Sequence, residues 1–240
     1  MKFLYTTIFY QPLFNALVFL YQTVAFGDLG IAIIFLTLII RIILFPLFQK
    51  SLRHQLVMQE LQPKVKKLQT EHKSDVQKQT REIMALYKEH KVNPFSGFLF
   101  LLIQLPILFA LYQIFFKVSG GGLEGLYGFI TKPEVLETSF LGLINLSKRS
   151  IVMVVLASVL QYFQGKISLP KLVPGQTLSP AEKVSRQMVF IGPVLTAVIF
   201  LQLPAAVSLY WATTSIFSIV QQLFINRRHE LGRIPKNASS

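Results

Sequence analysis

Several long apolar runs, almost free of charge, constrain this chain more than any other feature. A membrane-crossing helix needs about 20 mostly apolar residues, because the hydrocarbon core is about 30 Å thick and a helix rises about 1.5 Å per residue. The run 29–48 carries one charge, Arg41, and 94–116 carries none. A third, 150–164, is shorter, while 187–203 and 205–226 are uncharged and divided only by Pro204. Only 15% of the 240 residues are charged, against about a quarter in an ordinary soluble domain, and mean hydropathy is +0.51. A soluble globular enzyme and a disordered chain are thereby excluded. There is no cysteine, so disulfides and thiolate metal sites are excluded too. The fold expected is an all-α integral membrane protein with five transmembrane helices, at 28–50, 94–116, 150–165, 187–203 and 204–226. An N-terminal interfacial helix and a cytoplasmic helical hairpin complete it.

The opening segment, 1–27, is long enough to span. However, Gln11, Asn15 and Gln22 share one helix face, opposite Leu13, Leu17, Phe19 and Leu20, with Pro12 and Gly27 as breakers. That pattern favours an amphipathic helix lying in the interface over a sixth span. A signal peptide would need a small-residue cleavage site, and none follows convincingly. Positive charge sets the orientation. Ten Lys and Arg lie in 49–93, four in 166–186 and four after Asn226, against Lys2, Lys117, Lys132, Lys148 and Arg149 on the alternate side. By the positive-inside rule the segment 51–93, the loop 166–186 and the tail 227–240 are cytoplasmic, the connection 117–149 is extracytoplasmic, and the N-terminus is outside.

Within 51–93, Leu52, Leu56, Leu61, Val65 and Leu68 form one apolar stripe at helical spacing, and Val76, Ile83, Leu86 and Tyr87 a second. Charged residues and glutamines fill the other faces. His72-Lys73-Ser74-Asp75 supplies a turn between them, giving an antiparallel helical hairpin. Its stripes are narrow, so light packing and motion are expected.

Arg41 is the residue most in need of explanation. Counted along a straight helix it lies nine residues before Lys50, about 13 Å inside the membrane. There an arginine costs about 2.5–3.5 kcal/mol on insertion scales. No Asp or Glu occurs in any of the five runs, so water, carbonyls or polar side chains must satisfy it. Thr37 sits one turn earlier on the same face, Gln104 interrupts 99–108, Gln161 lies in the third run, and Ser208, Tyr210, Trp211, Ser215 and Gln222 lie on the fifth. Each alone could simply join helices. Together they point to a polar pocket within the membrane, since intramembrane ionisable residues mark functional sites. Enzyme motifs are missing: no Gly-rich loop is followed by Lys-Ser/Thr, and His54, His72, His90 and His229 lack metal-ligand spacing. Neither catalysis nor a cofactor is expected.

These pieces, in this order, resemble the YidC-type membrane protein insertases. The resemblance rests on Thr37-Leu-Ile-Ile-Arg41-Ile-Ile-Leu-Phe-Pro46-Leu47, Leu61-Gln-Pro63-Lys64, and Met84-Ala-Leu-Tyr87-Lys88 leading to Val92-Asn93-Pro94-Phe95. Leu102-Ile-Gln104-Leu-Pro106-Ile-Leu-Phe-Ala-Leu-Tyr112 follows, then Leu203-Pro204-Ala-Ala-Val-Ser-Leu-Tyr210-Trp211 and Gln221-Gln222. It runs from about Pro12 to Ile225, and the stretch from Asn93 to Tyr112 is its most specific part. It implies a compact five-helix core with a hydrophilic groove open to cytoplasm and lipid and closed to the outside. Arg41 would receive polar or acidic tails of nascent membrane proteins, with Thr37, Gln104, Tyr210 and Trp211 at corresponding groove positions and Gln161 matched more loosely. The hairpin would serve substrate capture and contacts with ribosome or Sec partners, in a bacterial plasma membrane. The tail is short and mildly basic, which weakens the case for ribosome docking, and no role is assigned to 117–149.

Three other readings remain open on the residues alone. A small anion transporter or channel could use Arg41 as its binding residue, though no inverted repeat is visible. An assembly factor could chaperone helices without translocating a tail. Direct nucleic-acid binding is disfavoured, because the Lys and Arg sit mainly at the ends of apolar runs.

Overall fold

The computed structural model describes residues 2–93, 96–169, 178 and 180–233. Pro94 and Phe95 at the start of the second expected span lie outside the described residues, as do 170–177 and 179 of the loop and 234–240 of the tail.

The N-terminal segment is helical throughout: α1 (Lys2–Tyr5), a π-helical turn at Thr6–Tyr10, and α2 (Gln11–Thr23). Phe14, Leu17 and Val18 are fully buried against the following helix and the rest of the core. Its polar face does not point uniformly to solvent. Asn15 is buried and Gln22 is engaged, both by the connection 117–149. By length and hydropathy, Phe3–Thr23 also suits a span.

The first long apolar run is not one straight helix. α3 (Leu29–Ile43) and α4 (Phe45–Glu71) meet at Leu44 with a bend of 64°. Pro46, in the first turn of α4, cannot donate a backbone hydrogen bond to the preceding turn and restricts the residue before it, so the helix breaks where the sequence places it. Arg41 therefore occupies the last turn of α3. The count from Lys50 assumed a straight helix and does not measure its depth. Phe45 to Lys50, the end of the first apolar run, belong to the same helix as the first arm of the hairpin.

The second arm is α5 (Val76–Glu89), N-capped by Asp75 Oδ1, which accepts from Lys78 N at 2.9 Å. Gln79 Nε2 donates to Gln69 O at 3.0 Å near the turn, and Asn93 N donates to His54 Nδ1 at 3.0 Å far from it. That register makes the arms antiparallel. The hairpin is also tied to the body. Lys66 pairs with Glu182 at 3.0 Å and Gln59 Nε2 donates to Ser168 O at 2.9 Å.

α6 (Ser96–Ser119) follows, then a connection holding a two-residue antiparallel ladder, β1 (Ser139–Phe140) with β2 (Ile144–Asn145). α7 (Ile151–Ser168), α8 (Pro180–Phe200) and α9 (Ala205–Arg233) close the chain. α9 is central, lying against both α7 and α3. Among the described residues three helices are long and apolar enough to cross a membrane, Phe3–Thr23, Ile151–Ser168 and Glu182–Phe200, and the bent α3–α4 pair makes a fourth. α9 is long enough but less apolar, because it carries Ser208, Thr213, Thr214, Ser215, Gln221 and Gln222 turned into the interior.

Candidate functional site

Arg41 is 3% exposed. Its Nη2 donates to Thr214 O on α9 at 3.4 Å, and its Cζ stands 4.6 Å from the centre of the Phe48 ring, one turn past the kink. A helix carbonyl already bonded within α9 has a second lone pair to give, and an aromatic face attracts a guanidinium. The kink makes this possible, since it folds the start of α4 back toward the arginine. Gln221 Nε2 donates to Phe45 O at 3.4 Å and ties α9 to the same corner.

Arg41 on α3 lines an open cavity of about 180 Å³ whose other walls come from three helices. α4 contributes Phe48, Ser51, Leu52 and Gln55, α7 contributes Gln164 and Ser168, and α9 contributes Ser218, Gln221 and Gln222. Most of these side chains are polar and uncharged. Gln222 Oε1 is buried with no hydrogen-bond partner in the protein, although its Nε2 donates to Asn226 Oδ1 at 2.8 Å. A buried acceptor of this kind in a polar space suits ordered water. A second cavity, of about 220 Å³, shares Gln55 and Ser168 with the first and extends between the hairpin and the ends of α7 and α8, past Gln59, Gln62, Tyr87 and Arg186. Burial there pushes the Tyr87 hydroxyl above its ordinary pKa.

The six residues singled out from sequence divide into three groups. Gln104 on α6 donates to the hydroxyl of Tyr210 on α9, and Tyr210 lies close enough to Arg41 for the two to interact electrostatically. The Gln104–Tyr210 bond thus joins α6 to α9 in the neighbourhood of Arg41 on α3, and all three residues are buried. Thr37 is equally buried, but its hydroxyl donates to Ile33 O at 2.6 Å, within its own helix. Gln161 and Trp211 form a separate pair, Nε1 donating to Oε1 at 3.0 Å, with the indole edge-on to Phe200. That pair joins α7 to α9. Of the six, Arg41 alone lines the 180 Å³ cavity.

Of this lining, sequence reasoning placed only Arg41 and Gln222 in the pocket, yet the rest has a readable signature too. Phe48, Ser51, Leu52 and Gln55 on α4, Gln164 and Ser168 on α7, and Ser218, Gln221 and Gln222 on α9 each recur at three- or four-residue steps along one face. Polar residues at that period inside apolar helices would have marked the cavity. No group of three His, Asp or Glu that could hold a metal ion occurs among the described residues.

The model of the 60Kd inner membrane protein family matches residues 19–232, which takes in α3 to α8, all but the last residue of α9, and every residue lining the cavity. The chain belongs to that family. A relative from Clostridium tetani (strain Massachusetts / E88), named membrane protein insertase YidC, is 35% identical over 212 residues, which are 87% of this chain and 86% of the relative. One of the same name from Rickettsia bellii (strain OSU 85-389) is 32% identical over 225 residues, 90% of this chain and 38% of the relative. Another, from Rickettsia conorii (strain ATCC VR-613 / Malish 7), is 31% identical over 226 residues, with the same shares. The chain thus spans under two fifths of the length of these rickettsial relatives and most of the clostridial one. The names given to these family members are those of insertases, not of enzymes.

Proposed function

We propose that this chain is a membrane protein insertase whose substrate passes through a hydrated groove centred on Arg41. The observation that carries the reading is the buried arginine beside a polar cavity shared by α4, α7 and α9, in a chain of this family. Five helices would cross a bacterial plasma membrane: α3, α6, α7, α8 and α9, with α2 in the interface. The hairpin and C-terminus would face the cytoplasm and the 117–149 connection the outside, in keeping with the distribution of Lys and Arg.

The physics is economical. Carrying a polar tail through lipid is costly because its charges and backbone lose water. A wet cavity reaching into the membrane shortens the dry distance. Arg41 attracts acidic residues of the tail where the surroundings screen less than water does. The neighbouring apolar segment of the substrate meanwhile passes into lipid, and burial of its surface draws the tail across, helped by membrane potential on negative charge. No nucleotide is needed. Nascent membrane proteins and lipid are the partners this scheme requires. The hairpin, open to the cytoplasm, is where ribosome or Sec contacts would fall, and direct binding of nucleic acid plays no part.

The test is reconstitution. Purified protein in liposomes should insert a short single-span substrate with an acidic N-terminal tail well above empty liposomes. It should not carry small anions across the same membrane. Anion flux without insertion would replace this reading with that of a transporter built around Arg41.

A further inference from the structure

The connection 117–149 carries an apolar point that the insertase reading leaves without a role. Phe26, in the short link between α2 and α3, is 94% exposed, and at the β1–β2 turn Leu141 is 59% and Leu143 84% exposed. The two places adjoin. Asp28, two residues after Phe26, accepts from Leu141 N through Oδ2 at 2.6 Å while capping α3 through Oδ1. Phe26 and Leu141 both hold positive φ, 51° and 52°, a conformation that bulky apolar residues rarely adopt and that surrounding structure must impose. Two of the three exposed apolar side chains thus sit on strained backbone.

Position says what they meet. Phe26 lies between the end of α2 at Thr23 and the start of α3 at Leu29. Leu146 O and Lys148 O accept from the first amides of α9, Ala206 N at 3.1 Å and Ala205 N at 2.8 Å, and Ser150 caps α7. The β-turn is thus pinned where the helices α3, α7 and α9 begin. Lys148 and Arg149, both exposed, stand there. Apolar points flanked by lysine and arginine at helix ends match the boundary between headgroups and acyl chains of a leaflet containing anionic phospholipid.

We propose that Phe26, Leu141 and Leu143 form a clasp that dips into the leaflet on the 117–149 side, with Lys148 and Arg149 on its headgroups. The clasp holds the start of α3 through Asp28, fixing one end of the helix whose other end carries Arg41. The inference requires only that the chain spans a membrane, not that it is an insertase.

The protein has no cysteine, so single-cysteine variants label cleanly. Leu143→Cys and, as a control on the same connection, Lys132→Cys would carry an environment-sensitive fluorophore in vesicles of phosphatidylethanolamine and phosphatidylglycerol. The expected result is a blue-shifted probe at 143, quenched by lipid spin-labelled near the headgroup end of its chain and shielded from aqueous iodide, with the probe at 132 behaving oppositely. Equal iodide quenching at both positions would place the tip in water and overturn the proposal. Shielding at 143 from iodide and lipid alike, with cross-linked dimers of the cysteine variant, would assign the tip to a second copy and also overturn it. Retained secondary structure of both variants in vesicles makes the comparison valid.

Discussion

The two ends of the helix bundle are built from opposite materials. At the hairpin end the helices part around Arg41, and glutamines and serines line the space between them. At the other end the 117–149 connection is laced onto the helices by specific hydrogen bonds. Tyr127 N donates to Asn15 Oδ1 at 2.7 Å, Glu137 N to the Tyr21 hydroxyl at 2.9 Å, and Gln22 Nε2 to Thr131 O at 2.7 Å. Phe140 seats on α3 so closely that a Cβ on Gly30 would come within 2.1 Å of its Cδ2. The difference teaches where polar residues do different work in one membrane protein. At the connection end Asn15, Tyr21, Gln22 and Asp28 are each matched to a backbone partner on the connection. At the hairpin end Gln222 Oε1 is buried beside the cavity with no protein partner, and water or substrate can take it.

The largest expected effect unseats the connection. Gly30→Ala overlaps Phe140 and should destabilise the fold by about 1–3 kcal/mol, the usual range for overpacking, read as a lower unfolding midpoint in detergent. The folded fraction should keep its preference among substrates, because the change lies at the far end of α3 from Arg41. An unchanged midpoint would show that the connection is loosely seated.

Drying the hairpin end is the complementary test. Gln164→Leu removes a polar wall of the cavity and should lower insertion a few-fold, about 1 kcal/mol of lost stabilisation, with the unfolding midpoint held or raised. An equal loss for the same change outside the cavity, Gln161→Leu, would erase the distinction between lining and helix-joining glutamines.

Tyr210 stands between the two ends, where α6, α9 and Arg41 meet. Tyr210→Phe deletes one buried hydroxyl and strands Gln104, which should cost about 1 kcal/mol of stability, measured by denaturant or thermal unfolding. A neutral result would mean that Gln104 finds another partner.

The smallest effect belongs to the surface of the connection. Glu124 accepts from its own backbone amide and from Lys117, and both hold its carboxyl below the ordinary pKa. A carboxyl depressed on folding adds stability above its unfolded pKa of about 4.3 and loses it as pH falls through the lower folded value. Wild type should therefore exceed Glu124→Gln slightly at neutral pH, and the two should converge only in acid below about pH 4. Because the group is exposed, salt should shrink the difference.

Much of this arrangement can be read in the residues, and the limits have physical causes. Apolar runs and their charge asymmetry identify a multi-pass helical membrane protein, and Pro46 marks a break that a straight-helix count overlooks. Arg41 stands out because a charge in an apolar run is expensive. Gln104 and Tyr210 are legible as polar interruptions, and they bond to each other near it. Thr37 and the Gln161–Trp211 pair look the same in sequence, yet their hydrogen bonds are spent on helix backbone and helix joining. Which neighbour a polar residue meets depends on helix rotation, which composition does not encode. The cavity lining was harder to see because it comes from three helices far apart in the chain, one of them the hairpin arm that the kink folds back. The 117–149 connection was opaque for a similar reason: Asn15, Tyr21, Gln22 and Asp28 receive it from more than a hundred residues away.

The central claim, that Arg41 acts electrostatically on substrate tails in a wet groove, is tested most directly by the ratio of two insertion yields in liposomes. One substrate carries an acidic N-terminal tail and the other the same tail with its acids made amides. Wild type should favour the acidic tail, Arg41→Ala should lose that preference by a fall in the acidic substrate on the order of tenfold, about 1.4 kcal/mol, and Arg41→Lys should restore most of it. An equal fall for both tails in Arg41→Ala, or an unchanged ratio, would contradict the electrostatic role and leave Arg41 a structural tie to Thr214 and Phe48.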